Sequence, residues 1–382
     1  MQHGKFNIFL DSQHGSSGKG LMTPFLADRY ESRCVSTANF PNAGHVTRRA
    51  DGSVFMAKAI ATAAFLNRYG QTVDAYISPG SGFYPERFLF EWNECGRPDV
   101  YIHGRASVVT EDHAAREREG KQSTKHIAST MQGSGVAISD KVMRGQGILL
   151  ARNIDWELEA KKVGIDGDLS SIHVLSAQDF RNRVFEEIPK TTWLHEGSQG
   201  YALSIDHGSH YPQCTSRNCS AQAAMDYMAI PPKMVGDVYL NVRTFPIRVG
   251  NVKDDDGNVL GYSGDFYPDQ TEITWDKIAD DAGFPPEAKA ELFKKEHTSV
   301  TKRLRRVSTL SYSALRDAVR VNGCTKLALN FVHYNDYKDL GVTEFAKLSQ
   351  KTREMVDRLE DETGVRVALI GTSAFHETVI LR

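Results

Sequence analysis

Residues 11–20 read Asp-Ser-Gln-His-Gly-Ser-Ser-Gly-Lys-Gly. A glycine-rich turn that carries one lysine and opens a helix is suited to hold phosphate. Glycines let backbone N–H groups approach an anion, and a helix N-terminus adds partial positive charge. Lys19 supplies a mobile cation. The glycine spacing differs from the common P-loop pattern, and a tight strand-to-helix turn without a ligand has the same composition. A second segment, Asn39-Phe-Pro-Asn-Ala-Gly-His-Val46, contributes His45, whose ordinary pKa suits general acid work on a phosphate-bridging oxygen. A third crowds glycines and hydroxyls in Glu196-Gly-Ser-Gln-Gly200, Ile205 to Pro212 and Cys214-Thr-Ser-Arg-Asn218. A fourth, Val300-Thr-Lys-Arg-Leu-Arg-Arg306, puts four cations in five positions. Guanidinium forks grip carboxylate and phosphate in pairs of bonds; a solvated cationic face is the plainer alternative.

These segments need a scaffold. Phe6 to Leu10 is an apolar run just before the first loop and reads as a buried strand. Leu21 to Arg33 reads as a helix, and Pro24 predicts that it begins near Thr23 or bends there. Val35 to Asn39 reads as a second strand and the Ala-rich stretch Ala57 to Asn67 as helix. Further strand-like runs are Val100 to Ile102, Ile148 to Ala151, His173 to Leu175, Thr192 to Leu194, Val238 to Val242, Lys326 to Val332 and Val365 to Ile370. Ala177 to Glu187 and Leu348 to Thr363 read as helices between them. The alternation predicts an α/β protein with a mostly parallel central sheet, helices on both faces and a nucleotide-phosphate loop after the first strand. The expectation is one domain over 1–382, with an excursion at 253–298.

Composition narrows the function classes. Lys+Arg total 46 against 48 Asp+Glu, a net charge of −2, so a strongly basic nucleic-acid binder and an acidic solvating tail are disfavoured. The longest apolar runs fall well short of the ~20 residues that cross a bilayer. Five cysteines at irregular spacing fit reduced thiols in a cytoplasmic protein. No membrane or nucleic-acid partner is expected.

The four segments together, in order, resemble the adenylosuccinate synthetase family. Its GDEGKG, NAGH, EGAQG with IDHGTYP and TSS, and TTGRRRR-type loop have counterparts here in GSSGKG, NAGH, EGSQG with IDHGSHYP and TSR, and VTKRLRR. The tail Glu377 to Arg382 is similar to the family's ETMILR ending, so the resemblance runs from about residue 6 to 382. In that family a nucleoside triphosphate phosphorylates the 6-oxo group of a purine nucleotide, and the amine of L-aspartate displaces the phosphate. The resemblance implies a ligase in purine biosynthesis. The triphosphate falls to Gly15, Ser16, Ser17, Gly18, Lys19, Gly20, Gly44, His45, Val46, Arg305, Asn330 and Gly371. It implies Mg²⁺ at Ser16 and Gly44, proton donation by His45, and Gln199 on the 6-oxyanion. The nucleotide falls to Ser16, Asn42, Ser129, Thr130, Gln199, Thr215 and Val249, and to Arg144 from the other subunit of a homodimer. Aspartate falls to Thr298, Ser299, Val300, Thr301 and Arg303.

The departures are as informative as the matches. Ser16 stands where the family has its catalytic aspartate, which takes the purine ring proton and ligates Mg²⁺. A hydroxyl is a poor base, but it is shorter, and it leaves room for a purine 2-amino group and accepts a hydrogen bond from it. Val332 replaces the aspartate that reads guanine in the phosphoryl donor, which implies ATP or dATP in place of GTP. Both changes resemble the phage branch of the family, which joins aspartate to dGMP on the route to 2-aminoadenine DNA; the location is then the host cytoplasm. GMP as substrate, an enzyme using IMP and GTP, and a catalytically inactive nucleotide-binding protein are the other readings. Gln132, where the family has arginine, has no account in the sequence, and Asp11 is also foreign to the pattern.

Overall fold

The computed structural model describes residues 1–119, 123–298 and 302–382. Ten strands form the central sheet: β1 (Phe6–Asp11), β2 (Cys34–Thr37), β3 (Asp74–Ile77), β4 (Val100–His103), β5 (Ile172–Leu175), β6 (Trp193–Glu196), β7 (Val235–Arg243), β8 (Lys326–Asn330), β9 (Val367–Gly371) and β10 (Val379–Leu381). Their order across the sheet is β10-β9-β8-β7-β1-β6-β2-β3-β4-β5. Every pairing is parallel except β9 with β10. A parallel sheet must be covered on both sides, because its crossover helices pack on both faces. β1 shows this: Phe6, Ile8 and Leu10 enter one apolar cluster and Phe9 the other. Helices Lys19–Arg29 (α1) and Pro85–Glu94 cover the Phe9 side; Ala177–Glu187, Tyr312–Asn322 and Gln350–Thr363 cover the opposite side.

β1 lies between β6 and β7, and the chain reverses its winding there. In open α/β sheets the crevice beyond the carboxyl ends of such strands is where ligands bind. Asp11, Glu196, Arg243 and Asn330 end four neighbouring strands at that edge. Between β7 and β8 the chain builds a smaller unit: strands Ile247–Arg248, Glu272–Ile273 and Arg306–Ser308, with helices Trp275–Ala282 and Pro286–Lys295. Trp275, Ile278, Leu292 and Val307 form its apolar cluster.

Three local expectations are corrected. α1 begins at Lys19, four residues before Thr23, and holds Pro24 within it. Gly18, at φ 93°, starts the helix in the left-handed region, and the Thr23 hydroxyl bonds back to the Lys19 carbonyl at 3.0 Å. Residues 57–67 are helical only in their second half: strand Val54–Ala57 leads through 58–61 to a 3₁₀ helix, Thr62–Tyr69. The buried Glu91 carboxylate accepts the backbone N–H groups of Lys58, Ala59 and Ile60 at 2.8–3.0 Å, which holds the chain extended there. Ile148 to Ala151 joins no sheet beyond a single bridge from Leu150 to Ser107.

The interior also predicts how stability responds to acid. Burial pushes His195 down to about 3 and His103 to about 4. The folded chain keeps both neutral, while the unfolded chain takes up protons below about pH 6.5. Stability is therefore fully present above pH 6.5 and is lost as pH falls toward the folded values. Urea titrations should show a loss of about 2 kcal/mol from His195 alone by pH 5.

Candidate active site

The phosphate loop is built around a buried carboxylate. Asp11, at the end of β1, accepts Gln13 N at 2.7 Å, Ser17 Oγ at 2.5 Å and Lys19 Nζ at 3.3 Å. Lys19 also donates to the Gln199 carbonyl at 2.9 Å. The lysine is nearly sealed, so its charge is aimed by two fixed acceptors rather than left to wander. Asn241 Nδ2 donates to Ser17 O and Oγ, both at 2.9 Å, and Asn330 braces Asn241 from behind at 2.9 Å. Gly20 has no alternative: a Cβ there would meet the Val46 carbonyl oxygen at 2.6 Å. Helix start and His45 strand are thereby pressed together.

His45 is oriented from below. Its Nδ1 lies 2.5 Å from Glu196 Oε1. Glu196 Oε2 accepts Thr62 N at 3.0 Å and the Thr62 and Thr23 hydroxyls. Burial opposes ionisation of Glu196, yet His45 and the two threonines hold its carboxyl below the usual range. A carboxylate on Nδ1 fixes tautomer and ring plane and leaves Nε2 for proton exchange.

A second group of residues lines one cavity beside the loop. Asn42, Ser129, Thr130, Gln199, Thr215 and Val249 all face it. Glu117, buried, shapes its rim by accepting Thr124 Oγ1 and Ser129 Oγ at 2.9 Å and Gly133 N at 2.6 Å. Gln132 Nε2 closes the same loop on the Thr130 carbonyl at 3.2 Å, which gives that residue a local structural role. His14 and Arg248 also line the cavity. Burial, with Arg248, His210 and Arg306 nearby, pushes His14 well below its usual pKa range.

Ser16 is exposed, at φ 50°, and its carbonyl accepts Arg243 Nη1 at 2.9 Å. Arg243 Nη2 in turn donates to Glu296 at 2.6 Å. Glu296 also accepts Tyr334 OH at 2.7 Å and Arg305 Nη1 at 3.3 Å. Burial works against the Glu296 charge, but the two guanidiniums hold its carboxyl low. Arg303 reaches the Ala128 and Ser129 carbonyls at 3.1 and 3.4 Å, which brings the cationic loop to the cavity rim. Thr298 Oγ1 accepts Arg303 N at 3.0 Å. Ser299, Val300 and Thr301 lie outside the described residues. Gly44 is exposed beside His45, whereas Gly371 and Asn330 are buried beneath the loop. Arg144 is exposed and caps helix Ser134–Met143, whose first residues line the cavity. Ten residues at ~1.5 Å each put it some ~15 Å from its own cavity. Val332 is fully buried among apolar side chains and presents nothing polar to a base.

The model of the family described as adenylosuccinate synthetase matches residues 8–165 and 173–340. The chain belongs to that family. Among adenylosuccinate synthetase relatives, an N6-succino-2-amino-2'-deoxyadenylate synthase of Salmonella phage PMBT28 is 32% identical over 345 residues, covering 86% of each chain. The archaeal adenylosuccinate synthetase of Methanocaldococcus jannaschii is 29% identical over 379 residues, covering 98% of this chain and 96% of the relative. A solved structure, the cyanophage S-2L succinoaminodeoxyadenylate synthetase bound to dGMP and dATP, superposes with a TM-score of 0.79 at 26% identity, covering 100% of this chain and 96% of that one.

Proposed function

We propose that this adenylosuccinate synthetase homologue is a carbon–nitrogen ligase that condenses dGMP with L-aspartate, driven by ATP or dATP, to N6-succino-2-amino-2'-deoxyadenylate. One observation carries the reading: a serine at position 16 in a site that otherwise keeps Lys19, His45, Glu196 and Gln199 in working order. Support comes from the phage relatives' names and from the dGMP and dATP bound to the cyanophage neighbour. The buried Val332 agrees with a donor whose base is not guanine.

The chemistry divides between the two groups of residues. Asn42, Ser129, Thr130 and Thr215 hold the nucleotide, Val249 packs on its sugar, and Arg144 of a partner subunit in a homodimer completes the phosphate grip. Gln199 steadies negative charge on the 6-oxygen. The backbone of Gly15 to Gly20 and Lys19 hold the triphosphate. As the 6-oxygen forms its bond to the γ-phosphorus and the ring N1 proton passes to solvent, the bridge bond to the diphosphate breaks, and His45 protonates that bridge. Aspartate, received by Thr298, Ser299, Val300, Thr301 and Arg303, with Arg305 shared toward the triphosphate, then forms a C6–N bond as the C6–O bond breaks and phosphate leaves. Most of the rate comes from positioning and charge neutralisation.

Family members are generally Mg²⁺-dependent. Among the described residues no cluster of three or more His, Cys, Asp or Glu side chains is placed to hold a metal ion. The Asp11 carboxylate is already engaged. The Ser16 hydroxyl and the Gly44 carbonyl, both exposed at the loop mouth, fit a Mg²⁺ carried in largely by the triphosphate oxygens. The ion would neutralise phosphate charge.

Purified protein should release phosphate only when aspartate, dGMP and ATP or dATP are all present. Equal or greater turnover with IMP and GTP would overturn the assignment. Ser16→Asp should lower kcat/KM for dGMP by about tenfold or more, because a carboxylate crowds the 2-amino group; full activity of that variant would refute the steric argument.

A further inference from the structure

His14 is 7% exposed, and it lines the same cavity as Gln199, Thr215 and Val249. Both of its ring nitrogens are buried without a hydrogen-bond partner. Buried polar atoms nearly always have one, and the exceptions call for a reason. Here a reason is at hand, because the residue that carries them lines the cavity that also holds Gln199, Thr215 and Val249. The ring is also held in place. Tyr267 lies 6.1 Å away, His210 6.3 Å and Phe266 6.5 Å, centroid to centroid. Arg248, on the same wall, spends Nε and Nη2 on the Ser263 and Gln213 carbonyls at 2.6 and 2.8 Å.

An imidazole has one N–H to give and one lone pair to receive. Its sequence position matters as well. The Gln199 carboxamide oxygen lies 4.0 Å from where a Gly15 Cβ would sit, so the turn that carries His14 runs beside Gln199 at the cavity wall. A guanine differs from hypoxanthine by one exocyclic amine on C2, on the same ring edge as the 6-oxygen that Gln199 would meet, and that amine carries two N–H donors. The Ser16 hydroxyl has capacity for one of them.

We propose that His14 accepts a hydrogen bond from the purine 2-amino group and is a specificity-determining residue for 2-aminopurine nucleotides over 6-oxopurines that lack the amine. The inference rests on the reading that this cavity receives a guanine nucleotide. It deepens that reading by assigning the amine a partner beyond position 16.

The test compares kcat/KM for dGMP and dIMP in the wild type, His14→Phe and His14→Asn, with ATP and aspartate saturating. Phenylalanine keeps a ring among Phe266 and Tyr267 but removes the acceptor. It is expected to cut kcat/KM for dGMP by about 10–100-fold while dIMP changes less than about threefold, so that the preference collapses. Asparagine, which restores a polar acceptor, should recover part of the preference. An equal fall with both substrates, or an unchanged ratio, overturns the proposal and leaves His14 a packing residue. Should His14→Phe fail to fold by circular dichroism, His14→Leu gives the same reading. Failure of the wild type to turn over dGMP at all would instead sink the functional reading, so the two failures are separable.

Discussion

His45→Ala is expected to lower kcat by about 10²–10⁴-fold, with KM for each substrate changing far less. The imidazole is set 2.5 Å from a carboxylate that is itself held by two threonines, so its proton is delivered from a fixed direction. An alanine leaves the buried Glu196 carboxyl without its imidazole partner, which also costs stability. A Glu196→Gln companion separates the two effects: it keeps the volume and removes the charge, so it should loosen the ring and lower kcat less than loss of His45 itself. Phosphate release under saturating substrates, together with thermal melting, checks both. A fall of under tenfold in His45→Ala would remove the histidine from proton transfer.

Lys19→Met should be nearly as damaging, for a different reason. The ammonium is poised by Asp11 at 3.3 Å and the Gln199 carbonyl at 2.9 Å, at the start of a helix that already favours anions. Its loss should lower kcat/KM for the triphosphate by about 10²–10³-fold. It also strands Asp11, and breaking a buried pair costs about 3–5 kcal/mol. The double variant Asp11→Asn with Lys19→Met should recover much of that stability and none of the activity. If activity returned along with stability, the lysine would be a structural counter-ion only.

Much of the scaffold was legible because it follows from local patterns. The apolar runs that became β1, β2, β4, β5, β6, β7, β8 and β9 sit between polar, turn-rich segments, and the Gly-Lys-Gly loop declares itself through residue type. What escaped was long-range. Arg243 meets the Ser16 carbonyl 227 positions away, and Glu196 meets His45 across 151. Glu296 is a buried carboxyl group that meets Arg243 from 53 positions away and Tyr334 from 38, so nothing in its own neighbourhood marks it. The Ala57 to Asn67 stretch misled for a related reason. Alanine content argues for helix, yet Glu91 on another element captures three of its amides. Pro24 misled because the loop fixes the helix start at Gly18 whatever the proline prefers. Asp11 was conspicuous as a residue, but its inward direction needed the fold.

Glu296 is shared by two arginines, Arg243 at the end of β7 and Arg305. One steadies the backbone at Ser16, and the other follows the cationic run. Losing either guanidinium would leave this buried carboxylate short of a partner, so a substitution at Arg305 should be felt at the Ser16 turn, through Glu296 and Arg243, without touching that turn directly.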